Sequence, residues 1–190
     1  MTAPAPQIVV IGASAGAIQA LSELLPRLPA DYRLPVLVVV HVPDAPSGLV
    51  PLFRTKCAVA VREPEDKEPI EPATVYFAPP GYHLLVEANR TLALSVDEPM
   101  LFSRPSIDVL FESAAESYGP ALLGVVLTGA NEDGARGAAA IAAAGGSVLV
   151  QDPDEAFAAA MPAAAQRSAP AARAMPLAAI GDYLVELGQE

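Results

Sequence analysis

Two kinds of segment alternate along this chain, and that alternation restricts the fold more than any other feature. Ile8-Val9-Val10-Ile11, Val36–Val40, residues 122–127 and Val148-Leu149-Val150 are unbroken apolar runs of strand length. An unbroken run, as opposed to an alternating one, marks a strand covered on both faces. Between these runs lie Ala- and Leu-rich amphipathic stretches. Residues 15–25 read as a helix with Ile18, Leu21, Leu24 and Leu25 on one face, stopped by Pro26 and Pro29. Further helices are expected at 49–56, at 105–117 with Ile107, Leu110, Phe111 and Ala114 inward, and at 135–144, 157–167 and Leu177–Leu187. Short strands are expected at 59–61 and 75–78, and residues 84–96 read as a hairpin turning at 87–90. The pattern specifies an α/β fold of three layers, α/β/α, with a mostly parallel sheet, right-handed crossovers and an antiparallel hairpin at one edge. With 190 residues, no internal repeat and no low-complexity linker, residues 1–190 are expected to form a single domain.

Composition excludes several classes of function. Hydrophobic residues make up 53% and charged residues 17%, which is incompatible with intrinsic disorder. Asp and Glu number 22 against 11 Lys and Arg, a net charge of −11. Such a surface repels phosphate, so neither nucleic acid nor anionic lipid is an expected partner. No apolar run is long enough for a membrane span, and the N-terminus lacks the basic-then-apolar pattern of a secretory signal. The single cysteine, Cys57, can form no internal disulfide, and with the missing signal it points to the cytoplasm.

Chemistry concentrates where the long strands end. The first runs into Gly12-Ala13-Ser14-Ala15-Gly16 and then a helix, a G-x-S-x-G turn in the setting of a nucleophile elbow. Two plainer readings compete with it: Ser14 caps the helix, or the turn cradles a nucleotide phosphate. The second long strand ends in His41, which therefore emerges beside Ser14 if both strands are parallel. The third opens into Thr128-Gly129-Ala130-Asn131-Glu132-Asp133-Gly134, offering two acids, Glu132 and Asp133, to orient an imidazole. Asp44 and Asp108 are further acids, away from strand ends, and spacing alone does not choose among them. His83 reads as structural. No Cys/His cluster exists, and the acidic stretch 63–71 is broken by prolines, so neither metal nor other cofactor is expected.

The ordered set Ile11-Gly12-Ala13-Ser14-Ala15-Gly16, His41-Val42-Pro43, Ala78-Pro79-Pro80 with His83, Arg104-Pro105-Ser106-Ile107-Asp108, Leu127-Thr128-Gly129 with Asp133-Gly134-Ala135, and Met161-Pro162 resembles the chemotaxis protein-glutamate methylesterase (CheB-type) family. The resemblance spans nearly the whole chain and implies a Ser14–His41–Asp133 triad, selecting Asp133 over Glu132. It implies hydrolysis of glutamyl methyl esters on methyl-accepting chemotaxis receptors, with deamidation of receptor glutamines by the same acyl chemistry. Because the chain starts almost at the first strand of the catalytic domain, it resembles a stand-alone form without the family's phosphoacceptor receiver domain. Three departures stand out: Ala130-Asn131 where many members have Met-Gly near the oxyanion site, Leu101-Phe102-Ser103 where members carry polar or basic residues, and Ala15 where many have threonine. The first leaves room for Asn131 to donate a hydrogen bond in place of the lost contribution. It also keeps open an idle signalling adaptor of the same fold, alongside an esterase with another substrate.

Overall fold

The computed structural model describes residues 4–41 and 48–189; Val42, Pro43 and the candidate acid Asp44 lie outside the described residues. Seven parallel strands form the main sheet: β1 (Ile8–Ala13), β2 (Val36–Val40), β3 (Ala60–Arg62), β4 (Thr74–Phe77), β7 (Leu122–Val126), β8 (Ser147–Gln151) and β9 (Arg173–Met175), in the order β3-β4-β2-β1-β7-β8-β9. β5 (His83–Val86) and β6 (Leu92–Ser95) make the expected antiparallel hairpin, which forms its own two-stranded sheet instead of extending the main one. The helices are α1 (Ala17–Leu24), α2 (Leu49–Arg54), α3 (Ile107–Tyr118), α4 (Ala135–Ala143), α5 (Ala160–Ser168) and α6 (Leu177–Leu187).

Every residue of β1, β2 and β7 is buried, and neighbouring positions serve opposite cores. Val9, Ile11, Val36, Val38 and Val125 face α1, α2 and α6. Ile8, Val10, Leu37, Val39 and Val126 face α3, α4, α5 and the hairpin. This division is why the strands read as continuous apolar runs: each position has a core to enter, so no polar alternation is tolerated.

Two expectations are corrected. Ile18 is 53% exposed, because α1 begins at Ala17 and turns Ala17, Ala20, Leu21 and Leu24 to the sheet. α5 starts at Ala160, not at residue 157, leaving Phe157 in the preceding loop and 79% exposed. β9 gave no signal at all: Arg-Ala-Met is three residues long, at a sheet edge, with an exposed pattern.

The topology places the site. The chain passes from β1 to β2 on one side, and later to β7 on the other. β1 is therefore where strand order reverses, and the carboxyl ends of β2, β1 and β7 open onto the crevice that such a reversal creates.

Candidate active site

Ser14, His41 and the loop 128–134 leave these three neighbouring strands at the same edge. Ala13 pairs with Val40, so the next residues, Ser14 and His41, leave adjacent parallel strands at the same edge. The N–H of His41 donates to the Ala13 carbonyl at 3.3 Å, extending that ladder one step. On the other side the Ser14 N–H donates to Thr128 O at 2.9 Å. Thr128 secures the turn further: its hydroxyl donates to Ala15 O at 2.8 Å and accepts the Ala158 N–H at 2.9 Å. Ser14 does not cap α1. The cap position is Gly16, at φ +83°, with no side-chain cap, and it is the Ser14 carbonyl that accepts the Ala17 N–H. A Cβ on Gly16 would also meet Phe157 Cβ at 2.8 Å, so both conformation and space require glycine there.

His41 is 12% exposed and bonds through Nε2 to Asp133 Oδ2 at 2.7 Å. Asp133 is wholly buried and its carboxylate accepts three more hydrogen bonds, all from the opening of α3. Ser106 Oγ and the Asp108 N–H donate to Oδ1 at 2.9 Å each, and the Ile107 N–H donates to Oδ2 at 2.7 Å. Burial by itself would raise its pKa, but the hydrogen bonds from His41, Asp108 and Ile107 outweigh it and hold the carboxyl below its ordinary value. An ionised carboxylate only accepts, so His41 donates from Nε2, and in the neutral imidazole Nδ1 is the nitrogen that accepts.

Asp108 is also buried, but it turns away from His41. Its Oδ1 accepts the N–H groups of Gly134 and Gly137 at 2.9 and 2.8 Å. The helices thus exchange caps: Asp133, just before α4, satisfies the start of α3, and Asp108, in the first turn of α3, satisfies the start of α4. Each carboxylate lies at the positive end of the other's helix. Burial, with the Asp133 charge adding to it, pushes Asp108 up to about 6 against the hydrogen bonds it accepts.

His83 is structural and 1% exposed. Its Nδ1 accepts the Ser106 N–H at 3.1 Å, so Nε2 carries the proton and donates to Glu98 O at 3.1 Å. It steadies the segment that holds Asp133. Glu132 is exposed and lies on the rim of a hollow of about 470 Å³, shared with Leu101, Phe102, Asn131 and Arg167. Among the described residues no cluster of His, Cys, Asp or Glu gathers as a metal site. Ser106 was visible only as part of a motif and Asp108 only as a further candidate acid; their service to Asp133 depends on contacts across 25 or more residues and left no local signal.

This arrangement defines a class: an α/β enzyme with its site at the switch point of a parallel sheet, equipped with a hydroxyl, an imidazole and a buried acid. Comparison with known proteins gives the family. Residues 9–184 match the family model of the CheB methylesterase, and the chain belongs to that family. A relative from Leptospira interrogans is 42% identical over 184 residues, covering 96% of this chain and 95% of the relative. A protein-glutamate methylesterase/protein-glutamine glutaminase of Trichodesmium erythraeum is 35% identical over 183 residues, covering 94% of this chain and 52% of that protein. The crystal structure of the Thermotoga maritima CheB methylesterase catalytic domain superposes with a TM-score of 0.91 at 31% identity, covering 97% of this chain and all of that one.

Proposed function

We propose that this protein is a serine hydrolase removing methyl esters from glutamate side chains of methyl-accepting chemotaxis receptors, and deamidating receptor glutamines at the same site. Ser14 is the nucleophile, His41 the base and Asp133 the orienting acid. The observation that carries the reading is the 2.7 Å bond to a buried, ionised Asp133 from His41, which follows the strand next to the one that leads into Ser14. Family membership supports the chemistry, and the relatives' names supply the substrate class.

His41 Nδ1 takes the Ser14 proton as Oγ attacks the ester carbonyl, and backbone N–H groups of the turn after Ser14 receive the oxyanion. Asp133 keeps the imidazole in the Nε2–H tautomer and stabilises its charged form. The imidazolium returns its proton to the departing methoxide, or, when glutamine is the substrate, to the amide nitrogen, which leaves as ammonia. Water then hydrolyses the acyl-enzyme. The receptor segments reached would be cytoplasmic ones, and the enzyme would act in that compartment.

The test is methanol release from methylated receptor membranes. Wild-type protein releases methanol, and Ser14→Ala, equally folded, releases none. Equal release from both refutes the nucleophile; none from either, with folded protein, refutes the substrate.

A further inference from the structure

Asn131 stands where it can touch the reacting atoms. Its Oδ1 accepts the Asp133 N–H at 3.1 Å. A backbone N–H only donates, so the carbonyl end of the amide faces Asp133 and the NH₂ end must point the other way. It points at the catalytic imidazole: Nδ2 lies 3.5 Å from His41 Nδ1. That is long for a hydrogen bond, so the amide does not compete strongly for the lone pair. The nitrogen it approaches is the one left free by Asp133, through which every proton of the reaction passes.

We infer that Asn131 is a catalytic residue that donates its amide N–H to the oxygen exchanging protons with His41: the leaving methoxy oxygen during acylation and the attacking water during deacylation. This rests on the assignment of Ser14 and His41 made above. Two physical steps lead to it. Once Nδ1 takes the Ser14 proton it becomes a donor and can no longer accept from the amide, so the N–H needs another acceptor. The group that must then meet Nδ1 is the methoxy oxygen, which gains negative charge as its bond to carbon lengthens. An N–H within 3.5 Å of Nδ1 faces that same oxygen and stabilises its charge.

The atoms balance in both halves. In the first, the Oγ–C bond forms, the C–OCH₃ bond breaks, and the proton moves from Oγ through Nδ1 to methoxide, releasing methanol. In the second, water gives one proton to Nδ1, its oxygen bonds the acyl carbon, the Oγ–C bond breaks, and Oγ recovers the proton. Asn131 holds the methoxy oxygen and then the water oxygen, and is itself unchanged.

Asn131→Ser is the informative substitution, because a serine hydroxyl still accepts an N–H two residues on but does not reach His41. Asn131→Ala removes both ends of the bridge. Two reactions separate the roles: methanol release from methylated receptor membranes, and the pre-steady-state burst with p-nitrophenyl acetate, whose leaving group departs without a proton. In both variants methanol release and the post-burst turnover fall about tenfold or more. The burst rate falls by less than about threefold, so the burst grows more pronounced. Thermal midpoints confirm that each variant is folded.

Wild-type rates in Asn131→Ser with loss only in Asn131→Ala show that the side chain merely closes its loop, and overturn the inference. Equal loss of burst, methanol release and fluorophosphonate labelling moves the donor to the oxyanion and overturns it as well. A burst that persists in Ser14→Ala overturns the nucleophile itself, and the role of Asn131 with it.

Discussion

Asp133→Asn preserves size and shape and changes only which end of the side chain can accept. In the wild type, both oxygens accept twice: Oδ1 from Ser106 Oγ and the Asp108 N–H, Oδ2 from the Ile107 N–H and His41 Nε2. An asparagine has one accepting oxygen, so its NH₂ must face one of these pairs. If it takes the Oδ1 position, Ser106 can rotate to accept, but the Asp108 N–H is left opposite another donor. At the Oδ2 position, His41 can switch tautomer to accept through Nε2, but the Ile107 N–H is stranded. Either way one fully buried backbone N–H loses its partner, at a cost of about 1–3 kcal/mol. The second orientation also moves the imidazole proton to Nδ1 and removes the base from the nitrogen that meets Ser14, a change expected to lower kcat about 10³–10⁴-fold. Urea unfolding measures the first quantity and methanol release the second. A folded variant that retains more than about a tenth of wild-type kcat refutes this second orientation.

Asp108 gives a prediction with a pH signature. Its folded value of about 6 exceeds the roughly 4 of an unfolded chain, so between these values the native state binds more protons and this residue's contribution to stability falls as pH rises. Asp108→Asn keeps an oxygen for Gly134 and Gly137 but cannot titrate. Relative to wild type it should gain about 1–3 kcal/mol in urea stability from pH 4 to 7.5, and parallel curves would refute this. Gly12→Ala builds a methyl 2.4 Å from Ile107 Cγ2, on the residue whose N–H holds Asp133. It should cost about 1–3 kcal/mol and lower methanol release, whereas full activity would show that Ile107 yields freely. His83→Leu strands the Ser106 N–H and the Glu98 carbonyl, and a loss of about 1–3 kcal/mol is expected in chemical denaturation, against no change if the ring only fills space.

The layers and central strands were legible because each buried strand carried its own signal in consecutive residues. Val36–Val40 needs no partner to be recognised as covered on both sides. Ser14 and His41 were legible for a related reason: parallel pairing sends strand ends to one edge, so position in sequence became position in space. The acid was not. Glu132 and Asp133 are neighbours, and only the helix phase after Gly134 decides which one turns inward; resemblance to a family selected Asp133 where the residues left both open. Ile18 misled because period alone fixes the width of an apolar face but not the residue at which a helix begins. β9 was silent because its pairing is supplied by β8 and not by its own composition.

The exchange of caps between α3 and α4 acts as a check on assembly. A packing of these helices that slips by one turn leaves two carboxylates and two helix openings enclosed without partners, a defect costing several kcal/mol in a protein of ordinary stability. Such near misses are therefore rejected as folded states and do not persist as slow enzymes. Damage to the Asp108 half of the exchange, which leaves Asp133 itself in place, should accordingly appear as fewer competent molecules, each working at close to full speed, and not as a uniform population working poorly. Asp133 is aligned by the same interactions that decide whether the two helices dock at all.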